Sequence, residues 1–525
     1  MCAYRERSCG GARIGPFMRL SRLFLAWLVC LVCVAQSPAA SRKTLQKRIA
    51  AVLSRPELER GYWGMEVISL ASGKVLYEQN SDKLFIPASN TKLFTTAAAL
   101  ALIGPDHRFV TTVETGNQID ANGRMTGDLR LVGRGDPNLS GRVLPYASQS
   151  KRGDNPVRAL EDLADTVVHK GLKSVSGDII GDDTYFADER YDEGWSWDDL
   201  MWSDGAPVSA LTINDNVLFL NVAPGAHVGD RAVISVKPFA DYYNYDNRLV
   251  TASAGTARNL AMDRPPGSMT VSLWGSIPLG DAGVDEALAL DDPAEFAAIL
   301  FRQMLVSRGV AVNGKARALH SERAGLATIK TQTPAQVQVL AGHESAPLVE
   351  DVHVINKVSQ NLHAEILLRL LGRQQSVPGT VEGGLAQLKS FLAQAGVPDG
   401  EYAFHDGSGL SRQNLVTPHA VVQLLRYAAT QPWGASYRDS LPVAGVDGTL
   451  ADRLNNRDPR AHVFAKTGSL GGVRTLSGYA TTVKGEPVAF SIFANNFIPA
   501  NSPGSSVKDR SVTDAMDEIV EEIVK

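Results

Sequence analysis

Apolar and polar side chains alternate along residues 62 to 79, YWGMEVISLASGKVLYEQ, on either side of an Ala-Ser-Gly centre. A period of two around small residues predicts a β-hairpin. Residues 89 to 103 break the alternation with a run of Ala, Leu and Thr that predicts a buried helix. From about 110 to 215 the chain reads as strand-like and rich in glycine. Residues 216 to 284 stay β-like, with VLFLNVAP, AVISVKPF and SMTVSLWGSIPL. A helix is predicted at about 293 to 308, ended by Gly309. From about 346 helical patterns return in PLVEDVHVINKVSQNLHAEILLRLLG, TVEGGLAQLKSFLAQAG and TPHAVVQLLRYAAT. The strand patterns HVFAKTGSL, TLSGYATTV and EPVAFSIFANNF follow, and a last helix is predicted at about 507 to 524. Helix and strand at both ends, with about 230 mostly β residues between, suggest an outer α+β domain interrupted by an insertion. No repeat of solenoid period is evident.

Length changes the picture first: 525 residues exceed one ordinary core and suggest two to four domains. Apolar content of 44% and charged content of 21% are globular values. The first forty residues stand apart. Arg19 and Arg22 precede the apolar run LFLAWLVCLVCVA and the small-residue exit QSPAAS. That is the design of a secretory signal peptide, too short for a spanning helix, with cleavage between Ser37 and Ala40. An uncleaved anchor is the alternative. The design starts at Met18, and residues 1 to 17 add nothing to it. Cys2, Cys9, Cys30 and Cys33 all lie in this leader, so the exported chain would hold no disulfide, thiol chemistry or cysteine metal site. Valines precede Cys30 and Cys33, which argues against lipid attachment. Losing the leader takes the net charge from −4 to −8. A mildly acidic chain with no basic run is a poor partner for nucleic acid.

Three short motifs carry candidate chemistry. Ser89 and Lys92, in SNTK, stand three apart at the head of the apolar helix and share a face. A serine hydroxyl is a weak nucleophile that needs a base, oxyanion donors and a dry pocket. Burial of the Lys92 stem favours the neutral amine that can accept a proton. The plainer reading of Ser89 is an N-cap. The same spacing recurs at Ser148/Lys151 and Ser505/Lys508, but only Ser89 leads an apolar helix. Ser359-Gln360-Asn361 is the only S-x-N; its serine can relay a proton and its amide can hold a peptide carbonyl. Lys466-Thr467-Gly468 is the only K-T-G and falls on a predicted strand, able to pair with an extended peptide and bind its terminal carboxylate. Gly468 permits close approach of substrate backbone. Their order, each on the fitting element, is more specific than any one motif, and this set occurs in β-lactamases and penicillin-binding proteins. Other constellations fail: the HAE of residues 363 to 365 has no C-x-x-C, H-E-x-x-H is absent, and GRGDPN lacks the rest of a dinucleotide fingerprint.

The chain resembles the low-molecular-mass class C penicillin-binding proteins of the D-alanyl-D-alanine carboxypeptidase/endopeptidase type. Besides SNTK, SQN and KTG, the likeness includes GRGDPNL at 133 to 139, WSWDD at 195 to 199, GAPVSALTINDN at 205 to 216 and DGSGLSR at 406 to 412. The 270-residue separation of Ser89 and Ser359 leaves room for the family's two inserted domains. The resemblance implies an α+β fold: a penicillin-binding-protein/serine β-lactamase-like domain, an antiparallel sheet flanked by helices, with two inserted and mostly β domains. The expected division is a leader at 1–40, the transpeptidase-like domain at 41–109 and 346–525, inserted domain II at 110–215 and 285–345, and inserted domain III at 216–284. The resemblance also implies roles. Ser89 would be acylated with Lys92 as its base, Ser359 and Asn361 would line the pocket, and Lys466 and Thr467 would hold the substrate carboxylate. The amides of Ser89 and Ser469 would form the oxyanion hole. Asp199, with Asp198 adjacent, and Arg412 would grip the diaminopimelate end of a stem peptide. Gln360 stands where aspartate is common, and Ser469 where threonine is. The implied activity is hydrolysis of D-alanyl-D-alanine termini or D-centred cross-links in peptidoglycan stem peptides through an acyl-enzyme, in the periplasm, with β-lactams as inhibitors and no metal or cofactor. A β-lactamase and an inert wall-binding module are the alternatives.

Overall fold

The computed structural model describes residues 38–146, 153, 155–321, 337–374, 378–456, 458, 461–498 and 510–525. All of the expected leader except residues 38 to 40 lies outside them, as do the S-x-x-K pairs Ser148/Lys151 and Ser505/Lys508. Among the described residues, no helix is long and apolar enough to cross a membrane.

A five-stranded antiparallel sheet organises the two ends of the chain. Its order is Val75–Gln79, Tyr62–Ser69, Pro487–Asn495, Val473–Thr481 and His462–Leu470. Period-two side chains divide its faces. Met65, Val67, Phe490 and Ile492 meet the first helix, Pro38–Leu53, and the last, Arg510–Val524. Ile68, Ala489 and Phe493 face the opposite way, toward Leu93, Phe94 and the helices Leu348–Val358, Asn361–Arg373, Val381–Gln394 and Pro418–Ala428. Apolar residues line both faces of the sheet, so both must be covered by helices. His462–Leu470 is left at the edge, with one row of backbone groups unpaired by the sheet.

A second five-stranded sheet has the order Ala316–Ser321, Ile179–Ala187, Leu129–Val132, Val110–Thr115 and Gln338–Glu344. Strands from both sides of residues 216 to 284 build it. Between them lie a three-stranded sheet of Val284–Ala289, Val217–Ala223 and Val233–Lys237 and a four-stranded sheet centred on Thr270–Pro278. The helix Pro293–Ser307 has the local chemistry for its start: Asp292 accepts from the Glu295 amide and proline occupies the first turn. The strand-like reading of 110 to 215 overlooks a helix at Arg158–His169. Leu160, Leu163, Ala164 and Val167 are its buried stripe, at helical spacing within polar sequence.

Candidate active site

The nucleophile's turn is held from beneath by the sheet. Ala88–Asn90 form one 3₁₀ turn and Thr91–Leu102 continue as α-helix. Thr475 Oγ1 donates to the Pro87 carbonyl at 2.9 Å, and Asn90 Nδ2 donates to Ser477 Oγ at 2.8 Å. Ala88 is driven to φ 46°, left-handed backbone that a non-glycine residue adopts at a cost of about 1–2 kcal/mol. Ser89 makes no capping bond for the helix. Its hydroxyl instead meets Lys92 Nζ at 2.9 Å, as the shared helix face requires.

Lys92 has three oxygens around its nitrogen: Ser89 Oγ at 2.9 Å, Asn361 Oδ1 at 2.6 Å and the Ser408 carbonyl at 2.7 Å. A neutral amine has two protons and one lone pair. The amide oxygen and the carbonyl can only accept, so they take the two protons and leave the lone pair facing the serine hydroxyl. Complete burial pulls the lysine down from 10.5 to about 8, against Asp406, Glu365 and Asp204, which push it up. Those acids are themselves built in. Glu365 accepts from the amides of Gly407 and Ser408, which fixes the carbonyl that receives the Lys92 proton. Burial first, then Asp192 and Asp406, raises Glu365 well above the usual range. Asp406 accepts from the Gly409 and Ser411 amides, from Asn414 and from Trp195 Nε1.

Ser359 joins two helices, Leu348–Val358 and Asn361–Arg373, at φ 64°. Gln360 caps the second by accepting from the Leu362 amide. That corner delivers Ser359 Oγ to Lys466 Nζ at 2.9 Å. Lys466 is fully buried on the edge strand, and burial followed by the nearby Lys92 lowers it well below the lysine range. Thr467 Oγ1 donates to Thr449 Oγ1 at 2.7 Å. A Cβ on Gly468 would lie 2.1 Å from Thr475 Oγ1 and 3.0 Å from the Ser89 amide nitrogen. The strand backbone thus packs against the nucleophile's turn where no side chain fits.

A cleft of about 510 Å³ opens over these groups. Ser89, Ser359, Asn361, Thr467 and Ser469 line it, together with Asp199 and Arg412. The structure therefore brings together nine of the ten expected residues at the cleft or in contact with its lining, and Gly468 lies in the wall behind them. Asp199 is raised by burial and then by Asp198 and Asp204, while Arg412 lowers it. Arg412 Nη1 donates to the Gly471 carbonyl at 3.3 Å. Sequence reasoning missed Asp204, Thr449, Arg474, Glu365 and Asp406. Asp406 and Ser408 sit in DGSGLSR, and Glu365 is the acid of HAE at 363 to 365.

Residues 189 to 216 tie the stretch that builds the other sheets to this site. Asn361 Nδ2 donates to the Asp204 carbonyl at 2.9 Å. Fully buried Arg369 meets Asp192 at 2.5 Å and Glu365 at 3.5 Å. His363 bridges Asp351 at 2.6 Å and Asp215 at 3.2 Å with no exposure to solvent.

The chain is similar to known proteins. The model of the D-Ala-D-Ala carboxypeptidase 3 (S13) family matches residues 45–523. The chain is 37% identical over 508 residues to a D-alanyl-D-alanine carboxypeptidase of Actinomadura sp. (strain R39), covering 94% of this chain and 89% of that protein. The crystal structure of penicillin binding protein 4 (dacB) from Haemophilus influenzae superposes with a TM-score of 0.76 at 26% identity, covering 91% of this chain and 99% of the other. The same protein complexed with a novel beta-lactam superposes at 0.71 with 24% identity over the same shares of the two chains.

Proposed function

Because the chain belongs to the D-Ala-D-Ala carboxypeptidase 3 (S13) family, we propose that this serine-type D-Ala-D-Ala carboxypeptidase works through an acyl-enzyme on Ser89. The observation that carries the reading is the Lys92 nitrogen, buried, with two acceptors occupied and the Ser89 hydroxyl as its third neighbour. In the proposed cycle Ser89 Oγ attacks the penultimate D-alanyl carbonyl as its proton passes to Lys92. The amides of Ser89 and Ser469 receive the developing oxyanion, an interaction strongest in the transition state. Ser359, held by Lys466, relays the proton taken up by Lys92 to the leaving amine, the C–N bond breaks, and Lys92 is neutral again for the next step. Water then cleaves the serine ester, giving the shortened peptide and restoring the hydroxyl. Lys466, Thr467 and Thr449 hold the substrate's terminal carboxylate. That anion restores the charged form of Lys466, which burial disfavours in the free site.

The substrate is the stem peptide of peptidoglycan, with Asp199 and Arg412 meeting the ammonium and carboxylate of its diaminopimelate side chain. D-centred cross-links present the same bond and would be cleaved likewise. A β-lactam enters the same route and stalls as a slowly hydrolysed ester. The leader reading supports export to the periplasm. The test is mass spectrometry after incubation with penicillin and with a diaminopimelate-containing pentapeptide. The expected result is an adduct on Ser89 and release of D-alanine, both lost in Ser89→Ala. Release of D-alanine without any adduct refutes the mechanism.

A further inference from the structure

A second cleft, of about 310 Å³, adjoins the first at Ser359, and Arg412 does not line it. The two clefts share Val358, Ser359 and Asp204. The second has two kinds of surface. Val217, Phe219 and Ala287 make an apolar floor, on neighbouring strands where Ala287 sits opposite Phe219. Arg142, Asp215 and Gln360 make a polar rim. The rim is already organised: Arg142 and Gln360 both donate to Asp215 Oδ2. Its third member belongs to the S-x-N motif itself.

Resting on the acyl-enzyme reading above, we propose that this second cleft is a leaving-side subsite that holds the departing stem peptide of a cross-linked dimer. The path of the reaction carries the argument. The acyl half must lie over Ser89 toward Asp199 and Arg412. The nitrogen that departs must lie by Ser359, the group placed to protonate it. Whatever hangs from that nitrogen beyond a single D-alanine passes Ser359, and this cleft shares Ser359 with the first. A cross-link's departing residue is a diamino acid, whose methylene chain suits the apolar floor. Beyond it comes a peptide backbone, whose amides suit the polar rim of Gln360, Asp215 and Arg142. Free D-alanine carries no methylene chain or further peptide to fill this cleft. The hydrolysis balances as before: the D-alanyl C–N bond breaks, the departing amine gains the proton, and water supplies the new carboxylate oxygen.

The test compares two substrates with one acyl donor: a pentapeptide ending in D-alanyl-D-alanine, and a dimer of tetrapeptides joined D-alanyl to diaminopimelate. Ala287→Phe fills the floor, and Phe219→Glu sets a carboxylate in it. The expected result is a loss of at least tenfold in kcat/KM on the dimer. D-alanine release and penicillin acylation should stay within about twofold. The inference is overturned if both variants lose all three activities in parallel, or if neither loses dimer cleavage. It is also overturned if the wild type releases D-alanine but leaves the dimer intact. Failure of the wild type to release D-alanine or to take up penicillin would sink the parent reading instead.

Discussion

Acylation should titrate with Lys92. Burial lowers this amine from 10.5 to about 8. At pH 7 an amine of pKa 8 is neutral about one time in ten, and one of 10.5 about one time in 3,000. Placement of the lysine therefore makes the base about 300-fold more available at neutral pH, on the order of 3 kcal/mol. The assay is the second-order rate of acylation by a fluorescent penicillin, followed by stopped flow from pH 5.5 to 10. The rate should climb about tenfold per pH unit up to 7 and level off above about 8. Asp204→Asn removes an exposed carboxylate that favours the protonated lysine. Its inflection should move to lower pH, by less than about one unit, and the displacement should fade in high salt. A flat profile between pH 6 and 9, or an inflection near 10, would refute the assignment of Lys92 as base. An upward movement in Asp204→Asn would refute the electrostatic account.

Three further outcomes follow from the packing. Gly468→Ala forces its methyl against Thr475 Oγ1 and the turn of Ser89, so penicillin acylation should fall at least tenfold, with a stability loss of about 1–3 kcal/mol in thermal unfolding. Arg369→Leu leaves Asp192 and Glu365 buried without their cation; a cost of about 3–5 kcal/mol should appear as a large drop in melting temperature, and an unchanged melting point would contradict it. Burial opposes the charge on His363, but Asp351 and Asp215 reverse this and raise it above 6.5. Its stabilisation is then complete below about pH 6.5 and is lost as pH rises through the raised value, so His363→Asn should destabilise more at pH 5.5 than in alkaline solution; an equal shift at both would show that charge plays no part.

Much of the site could be read in the sequence because its parts are local. Ser89 and Lys92 are one helical turn apart, and Ser359 to Asn361 form one corner between helices. Lys466 to Ser469 lie on one strand whose alternation is plain. Each motif's geometry follows from its own few residues. Thr449, Asp204 and Arg474 were not readable for the opposite reason. Thr449 owes its place to a loop pinned by Asp447 to Lys357 at 2.6 Å. Asp204 lies more than 150 residues from Asn361 in the chain and reaches it through its carbonyl, which every residue type possesses. Glu365 and Arg369 stand at i and i+4 and read as an ordinary surface pair, and only the packing of 189–216 over them makes them interior. The helix Arg158–His169 was legible in principle: Leu160, Leu163, Ala164 and Val167 stand at i, i+3, i+4 and i+7, a stripe that the strand-like reading of 110 to 215 passes over.

The bonds from residues 189–216 into the core bear on attempts to make a shorter enzyme. Cutting out 110–345 and rejoining the ends would not release a ready-made minimal catalyst. It would take away Asp192 from Arg369, Asp215 from His363, Trp195 from Asp406 and the carbonyl that steadies Asn361. A truncated descendant would need simultaneous replacement of Arg369, His363 and their neighbours by residues content with water or with each other. Miniaturisation of this chain is a coordinated rewrite of the interior, and no single excision achieves it.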